Sequence, residues 1–313
     1  MLDVKKLLKK NPFVLAPMDD VTDIGFRELC EEKGACYSTT ELTSINALVR
    51  GKVFKSRYEK GNLRINSVQL FGSEPDVFVE ASKIVDKEAD MIDVNFGCPS
   101  PNVTRQYAGS CLLKDPKNVG NIIEKLVKEN EKPVTAKIRL GYKKATHIEI
   151  AKEIEDCGAD ALAVHGRTAA QKYSGKANWD AIQEIYEKTN ITLIGNGDVK
   201  DEDDIAKYLN SHCDGLMIGR AAIGNPFLFE RFNYYLKHKK KLEFDREKLK
   251  EKQKELLRDY LKKLENREFF NLNLKIQRQS MWFFKGIEGA KEFRNKIAQE
   301  KDIDKIYRAI EEF

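Results

Sequence analysis

Cysteine, histidine, tryptophan and proline are scarce in this chain of 313 residues, which has six, four, two and eight of them. Six dispersed cysteines, with no C-x-x-C pair, exclude a disulfide scaffold. The four histidines (147, 165, 212 and 238) are too scattered for a structural zinc site, so no metal is expected. No apolar run approaches the ~20 residues of a membrane span. The opening stretch MLDVKKLLKKNPF lacks a signal-peptide core and cleavage site. A cytoplasmic, monomeric protein, without membrane association, is the resulting expectation. Low-complexity tracts are also missing, and 41% hydrophobic content excludes wholesale disorder. Nor does one sign of charge dominate. The 55 basic and 50 acidic residues leave +5, which permits a nucleic-acid partner without requiring one.

Turn residues divide the chain. Of 19 glycines, 17 precede residue 225, and every proline lies at or before Pro226. Helix with short connections is expected beyond that point, and the boundary is set between residues 238 and 239. Upstream, short apolar runs begin near Phe13, Cys36, Ile65, Met91, Val134, Ala161, Ile191 and Gly215, each followed by a helical pattern. Eight β–α units in ~240 residues predict a TIM (β/α)8 barrel for residues 1–238. Runs four and five start 43 residues apart, so the loop after the fourth strand is enlarged. In residues 239–313, Leu249, Leu256, Leu257, Tyr260, Leu261 and Leu264 form one helical stripe, and Ile303, Ile306, Ile310 and Phe313 another. They predict a small all-α bundle. Charge divides as well: residues 237–313 hold 22 bases and 15 acids, a balance of +7, leaving −2 upstream. Lys237, Lys239, Lys240, Lys241, Lys275, Arg278 and Lys285 are candidate phosphate contacts. Trp282 and Phe283 are candidate stacking groups, with core filling the more ordinary reading.

Barrel active sites lie at the C-terminal ends of the strands. Those ends carry Gln69, Asn95, Cys98, Lys137, Arg139, His165, Arg167, Asn196 and Arg220. The last two loops, GNGDV (195–199) and GRAAIGNP (219–226), let backbone N–H groups approach a phosphate closely, with Gly197, Asp198 and Gly219 at the turn and Arg220 beside it. A ligand extended across the mouth would meet Pro17 and Met18, then Gln69, Lys137 and His165. An isoalloxazine ring suits that path, which makes FMN one candidate among phosphorylated ligands. Cys98, between Gly97 and Pro99, lies in the enlarged loop and outside any apolar stripe. A thiol with an ordinary pKa of ~8.5 is mostly protonated at neutral pH and can act as a general acid. With His165 as base it could instead be a nucleophile.

These residues resemble the tRNA-dihydrouridine synthase family. The likeness runs in order through APM…VTD…FR (16–27), VQLFG, VNFGCP, GSCLLKDP, AKIRLG, HGRT, GNGD and MIGRAAIGNPF. It implies an enzyme that reduces the C5–C6 bond of selected uridines in tRNA, using FMN with NADPH as electron source. It further implies Cys98 as proton donor and Pro17, Met18, Asp19, Gln69, Lys137, His165, Asn196, Gly197, Asp198, Gly219 and Arg220 as flavin contacts. Asn95, Arg139 and Arg167 are then substrate contacts, and the helical residues 239–313 bind tRNA. The chain departs from the family pattern at Asp19-Asp20, where Ala-Gly is usual, so any Asp19 contact is expected through backbone. It departs again at Asn102, in place of Lys with Arg105 nearby, and at Cys111, in place of Ala. Two other readings share part of the pattern. A flavin enzyme of free pyrimidines would need no basic seam or helical tail. A non-catalytic RNA-binding barrel would have no use for Cys98, Lys137 and His165 together.

Overall fold

The computed structural model describes residues 2–242, 245–300 and 302–313; of the last apolar stripe, the Ile303 side chain lies outside the described ones. The eight short runs form a closed parallel barrel. Its strands are β1 (Phe13–Leu15), β2 (Ser38–Thr39), β3 (Thr43–Ser44), β4 (Asn66–Phe71), β5 (Met91–Phe96), β6 (Val134–Arg139), β7 (Ala161–His165), β8 (Thr192–Asn196) and β9 (Gly215–Ile218). The second barrel strand is broken, with β2 bridging β1 and β4, and β3 continuing along β4. β9 returns to β1 and closes the ring.

The period of two along each strand separates two environments. On β5, Ile92, Val94 and Phe96 join the layer between strands and helices. Met91 instead joins Val14, Ala161, Ala163, Ile194 and Met217 in a separate inner cluster. Helices start where the sequence signals them. The Asp115 side chain accepts the Asn118 N–H just ahead of Pro116, and Pro75 opens the helix Pro75–Val85. The enlarged loop after β5 holds a short helix, Pro101–Thr104, and a 3₁₀ turn, Gly109–Lys114. Among the described residues no helix is long and apolar enough to cross a membrane.

After β9, the helix Phe227–His238 ends at Lys239, whose left-handed backbone turns the chain away. Helices Arg246–Leu264, Leu272–Phe283, Ala290–Gln299 and Ile303–Glu312 follow. Leu256, Leu257, Tyr260, Leu261, Leu264 and Phe283 are buried in one continuous core with Phe26, Phe229 and Phe232 of the barrel. The Phe283 ring meets Phe26 and Tyr260 at 6.4 and 6.1 Å between centroids.

Charge joins the same two parts. Lys241 pairs with Asp203, Lys263 with Glu32, Arg267 with Glu28, Lys275 with Glu41, and Arg278 with Asp20. Five cations of the basic tail thus meet carboxylates of the acidic barrel, and the opposite net charges of the two parts serve their docking.

Candidate active site

Strand register assembles the mouth of the barrel. Gln69 stands opposite Asp93 between β4 and β5, and Asn95 opposite Lys137 between β5 and β6. Arg139 then faces His165, and His165 faces Asn196. Residues spread over 128 positions of sequence become neighbours because each occupies an equivalent step of a parallel ladder.

The Cys98 thiol is half-buried and unpaired. Its loop is held by Asn95, whose Oδ1 accepts the N–H groups of Gly97 and Cys98 at 3.1 and 2.9 Å. Asn95 donates to Gln69 at 2.8 Å, and Gln69 donates to the buried carboxylate of Asp93 at 2.7 Å. Thr135 donates to the other oxygen of Asp93 at 2.7 Å. Burial pushes the thiol above its usual pKa; the Ser100 N–H and the nearby Arg139 and Lys137 oppose this, and Asp19 reinforces it. Cys98 is therefore a protonated thiol at neutral pH.

Lys137, partly exposed, donates to Asn196 at 3.2 Å, and burial followed by repulsion from Arg139 draws its ammonium down to about 8. His165 is lowered to about 2 by burial and then by Lys137, Arg139, Arg167 and Arg220, so the ring is neutral. A neutral imidazole keeps one donor and one acceptor nitrogen. Its buried Nδ1 has no partner among the described residues.

Arg139 and Arg167 act mainly on backbone. Arg139 donates to the carbonyls of Gly97, Thr168 and Lys172 at 3.0, 3.1 and 2.8 Å, tying the thiol loop to the loop after β7. Arg167, 2% exposed, donates to Ser174 and Gly175 carbonyls and to Asp198 at 2.7 Å, leaving its buried Nη1 unpartnered among the described residues. Between these anchored carbonyls stands Tyr173, 61% exposed, with the Arg220 guanidinium 4.7 Å from its ring centre.

Asp198 accepts from Arg167, from the Ala177 N–H at 2.8 Å and from Arg220 at 3.0 Å. Burial alone would raise its carboxyl, but these bonds, Arg167 foremost, together hold it below the usual range. The turn needs Gly197, at φ +127°, where a Cβ would stand 2.8 Å from that of Ala177. The helix that follows, Glu202–Tyr208, is capped by Asp201 and opens with Glu202, Asp203 and Asp204, so carboxylates already occupy its N-terminus. Those carboxylates complement the positive end of the helix dipole themselves. The loop after β9 carries Gly219 and Arg220. A Cβ at Gly219 would find nothing nearer than Ala16 and Met18, both at 3.8 Å.

The loop after β1 differs most from its sequence reading. The Asp19 carboxylate bonds Arg57 at 2.5 Å, which leaves its backbone for any ligand. Asp20, at φ +62°, adopts the conformation that glycine favours; its N–H donates to Glu41 at 2.5 Å and its carboxylate accepts Arg278 at 2.7 Å. Lys275, buried, reaches both oxygens of Glu41 at 3.2 and 3.3 Å. Gln279 donates to the Val21 carbonyl, and Tyr260 to Asp23 at 2.8 Å. Lys275 and Arg278, phosphate candidates in the sequence, hold this loop instead. Lys237, Lys239, Lys240 and Lys285 are not engaged there; the last three are exposed and Lys237 is exposed at its helix end. Phe283 fills the core, 1% exposed, and Trp282 is half-buried. Cys111 is buried in the turn behind Cys98, and no group of metal-ligating side chains occurs among the described residues.

Sequence reasoning missed Asp93, although it stands two residues before Asn95 on a strand and so must share its face. Arg57 and Tyr173 carried no signal beyond residue type.

Comparison with known proteins places this geometry. The family model described as dihydrouridine synthase (Dus) matches residues 14–312. A probable tRNA-dihydrouridine synthase of Aquifex aeolicus is 35% identical over 311 residues, covering 97% of this chain and 96% of that protein. The tRNA-dihydrouridine synthase B of Vibrio vulnificus is 38% identical over 296 residues, covering 91% and 90%. Among solved structures, DHODH in complex with ferulenol from Eimeria tenella superposes with a TM-score of 0.54 at 15% identity, over 72% of this chain and 80% of that one. That likeness is one of fold.

Proposed function

As the chain belongs to the dihydrouridine synthase family, we propose that it reduces the C5–C6 double bond of particular uridines in tRNA to 5,6-dihydrouridine, with FMN as cofactor, NADPH as reductant and Cys98 as proton donor. The residues at the mouth fit a phosphorylated flavin. His165 Nδ1 and Arg167 Nη1 are buried donors or acceptors without partners among the described residues, and a Cβ at Gly219 would meet Ala16 and Met18 no nearer than 3.8 Å. Pro17, Met18, Gln69, Lys137, His165, Asn196 and Gly197 would hold the ring system, with Asp19 contributing backbone and Asp198 orienting Arg220. Gly219 and Arg220 would hold the phosphate.

When bound and reduced, FMN supplies hydride chemistry to C6 of the uracil. The remaining work falls to the chain. Cys98 releases its Sγ proton to C5, which completes the saturated bond and leaves a thiolate. Lys137 and Arg139, whose charges already act on Cys98, stabilise that thiolate and the negative charge developing towards O4. Asn95, Arg139 and Arg167 are the proposed substrate contacts, and the two arginines also fix the loops around the base. The target base must leave its stack to reach this mouth. Residues 239–313 are the proposed tRNA-binding domain, with Lys239, Lys240 and Lys285, and Lys237 at the seam before them, as candidate phosphate contacts.

The observation that carries this reading is the half-buried thiol, kept protonated and facing two cations at the barrel mouth. Cys98→Ala, reduced with NADPH and mixed with unmodified tRNA in a single turnover, is expected to bind flavin normally. Its dihydrouridine formation should be slower by roughly 10²-fold or more. Full speed in that variant would overturn the acid role, and a wild-type protein without flavin or product would overturn the function.

A further inference from the structure

Between the interior of the barrel and the thiol loop runs one directed chain of hydrogen bonds. We infer that Asp93 is a positioning residue for Cys98, because it sets the direction of the two amides that lie between them. The inference rests on the reading of Cys98 as proton donor.

The direction follows from residue chemistry, read from either end. The N–H groups of Gly97 and Cys98 can only donate, so Asn95 must present its oxygen to them. Its amide nitrogen then points to Gln69, which must answer with its oxygen. That turns the Gln69 nitrogen towards Asp93, and an ionised carboxylate can only accept. Starting from Asp93 gives the same sequence of donors and acceptors. Thr135 donates to the second carboxylate oxygen, which pins the Asp93 side chain, and the Gln69 backbone N–H donates to the Thr40 hydroxyl at 2.9 Å, which anchors the strand at that residue. Gln69 and Asp93 are 0% and 4% exposed, which keeps water from replacing a lost partner cheaply.

In Asp93→Asn the new amide can face Gln69 with either end, so only the Gly97 and Cys98 N–H groups still select the direction of the chain. The loop that presents the thiol is then held in its orientation from one end instead of two. The same logic supplies a rescue. In the double variant Asp93→Asn/Asn95→Asp the chain runs backwards and is again complete. The amide placed at position 93 donates to the Gln69 oxygen, and the Gln69 nitrogen donates to the carboxylate placed at position 95. The other oxygen of that carboxylate still accepts from Gly97 and Cys98.

The test compares the full-length wild type with Asp93→Asn, Asn95→Asp and the double variant. Iodoacetamide alkylation of Cys98 is followed against pH by peptide-resolved mass spectrometry, which needs no turnover. Each single substitution is expected to change the Cys98 alkylation rate at fixed pH by about fivefold or more, and the double variant to return within about twofold of wild type. In turnover, Asp93→Asn should lower kcat by roughly 10–100-fold with the KM for tRNA nearly unchanged, as expected for a residue acting through others. Wild-type alkylation in Asp93→Asn, or a double variant as disturbed as the two singles combined, overturns the inference. If Asp93→Asn fails to fold, Asn95→Asp against the double variant decides the same question. A wild-type protein that makes no dihydrouridine would fail the proposed function, while the alkylation arm would still decide the relay.

Discussion

Lys275→Met separates two roles for one side chain. In the structure the ammonium contacts both oxygens of Glu41, and the two side chains are 9% and 3% exposed. Without it, the Glu41 carboxylate keeps, among the described residues, the Asp20 N–H and a more distant Arg57 at 3.9 Å. Breaking one partner from a buried pair costs about 3–5 kcal/mol, because the remaining charge stays buried. For a chain of this size, ~2 °C per kcal/mol translates the loss into a fall of roughly 6–10 °C in Tm. Removing both charges in Glu41→Gln/Lys275→Met should restore most of it, since paired neutral groups avoid the stranded carboxylate. Scanning calorimetry on the purified variants measures both effects, and a salt titration of tRNA binding supplies the contrast. A Lys275→Met protein melting within about 1 °C of wild type, with a salt slope shallower by about one, would refute the docking argument and return Lys275 to a phosphate.

Two other perturbations test the frame around the site. Burial pushes Asp23 up to about 6, against the pull of Lys275, so the folded state retains a proton that the unfolded chain releases near pH ~4. Stability from this group is full below pH ~4 and is lost as pH rises through about 6, so urea midpoints should decline over that window and decline less in Asp23→Asn. An unchanged slope in the variant would remove Asp23 as its source. Gly109, at φ +60°, packs its Cα against the thiol loop: a Cβ there would stand 2.8 Å from the Cys98 carbonyl oxygen. Gly109→Ala should therefore displace that loop and lower kcat by roughly tenfold or more, with flavin content retained. Wild-type kcat in Gly109→Ala would show that the loop position is not critical.

Much of the barrel was legible because its information is local. Short apolar runs, followed by helix signals such as Pro75 and Asp115-Pro116, marked the β–α units. The mouth was legible for a related reason: equivalent strand ends must converge once a parallel barrel closes. What stayed hidden depended on contacts between distant segments. The strand near Cys36 forms only as Ser38–Thr39 with a separate piece at Thr43–Ser44, a break that periodicity does not encode. Lys275 and Arg278 look like any solvated bases on a helix until Glu41 and Asp20 are brought against them. The charge imbalance was visible, but whether it would meet RNA or the barrel could be read only from the fold. Asp93 shows a smaller gap. Its face followed from its spacing to Asn95, whereas the direction of its hydrogen bonds required Gln69 across the ladder.

The contacts between Asp20 and Arg278, Asp23 and Tyr260, and Glu41 and Lys275 span 258, 237 and 234 residues. A ribosome adding ~5–20 residues per second exposes the first member of each pair tens of seconds before the second. During that interval the emerging barrel carries Asp20, Asp23 and Glu41 without the late partners that hold them in the finished fold. The loop that carries Pro17 and Met18 is thus made first and completed last, and a chain stopped short of its final helices never acquires a finished mouth.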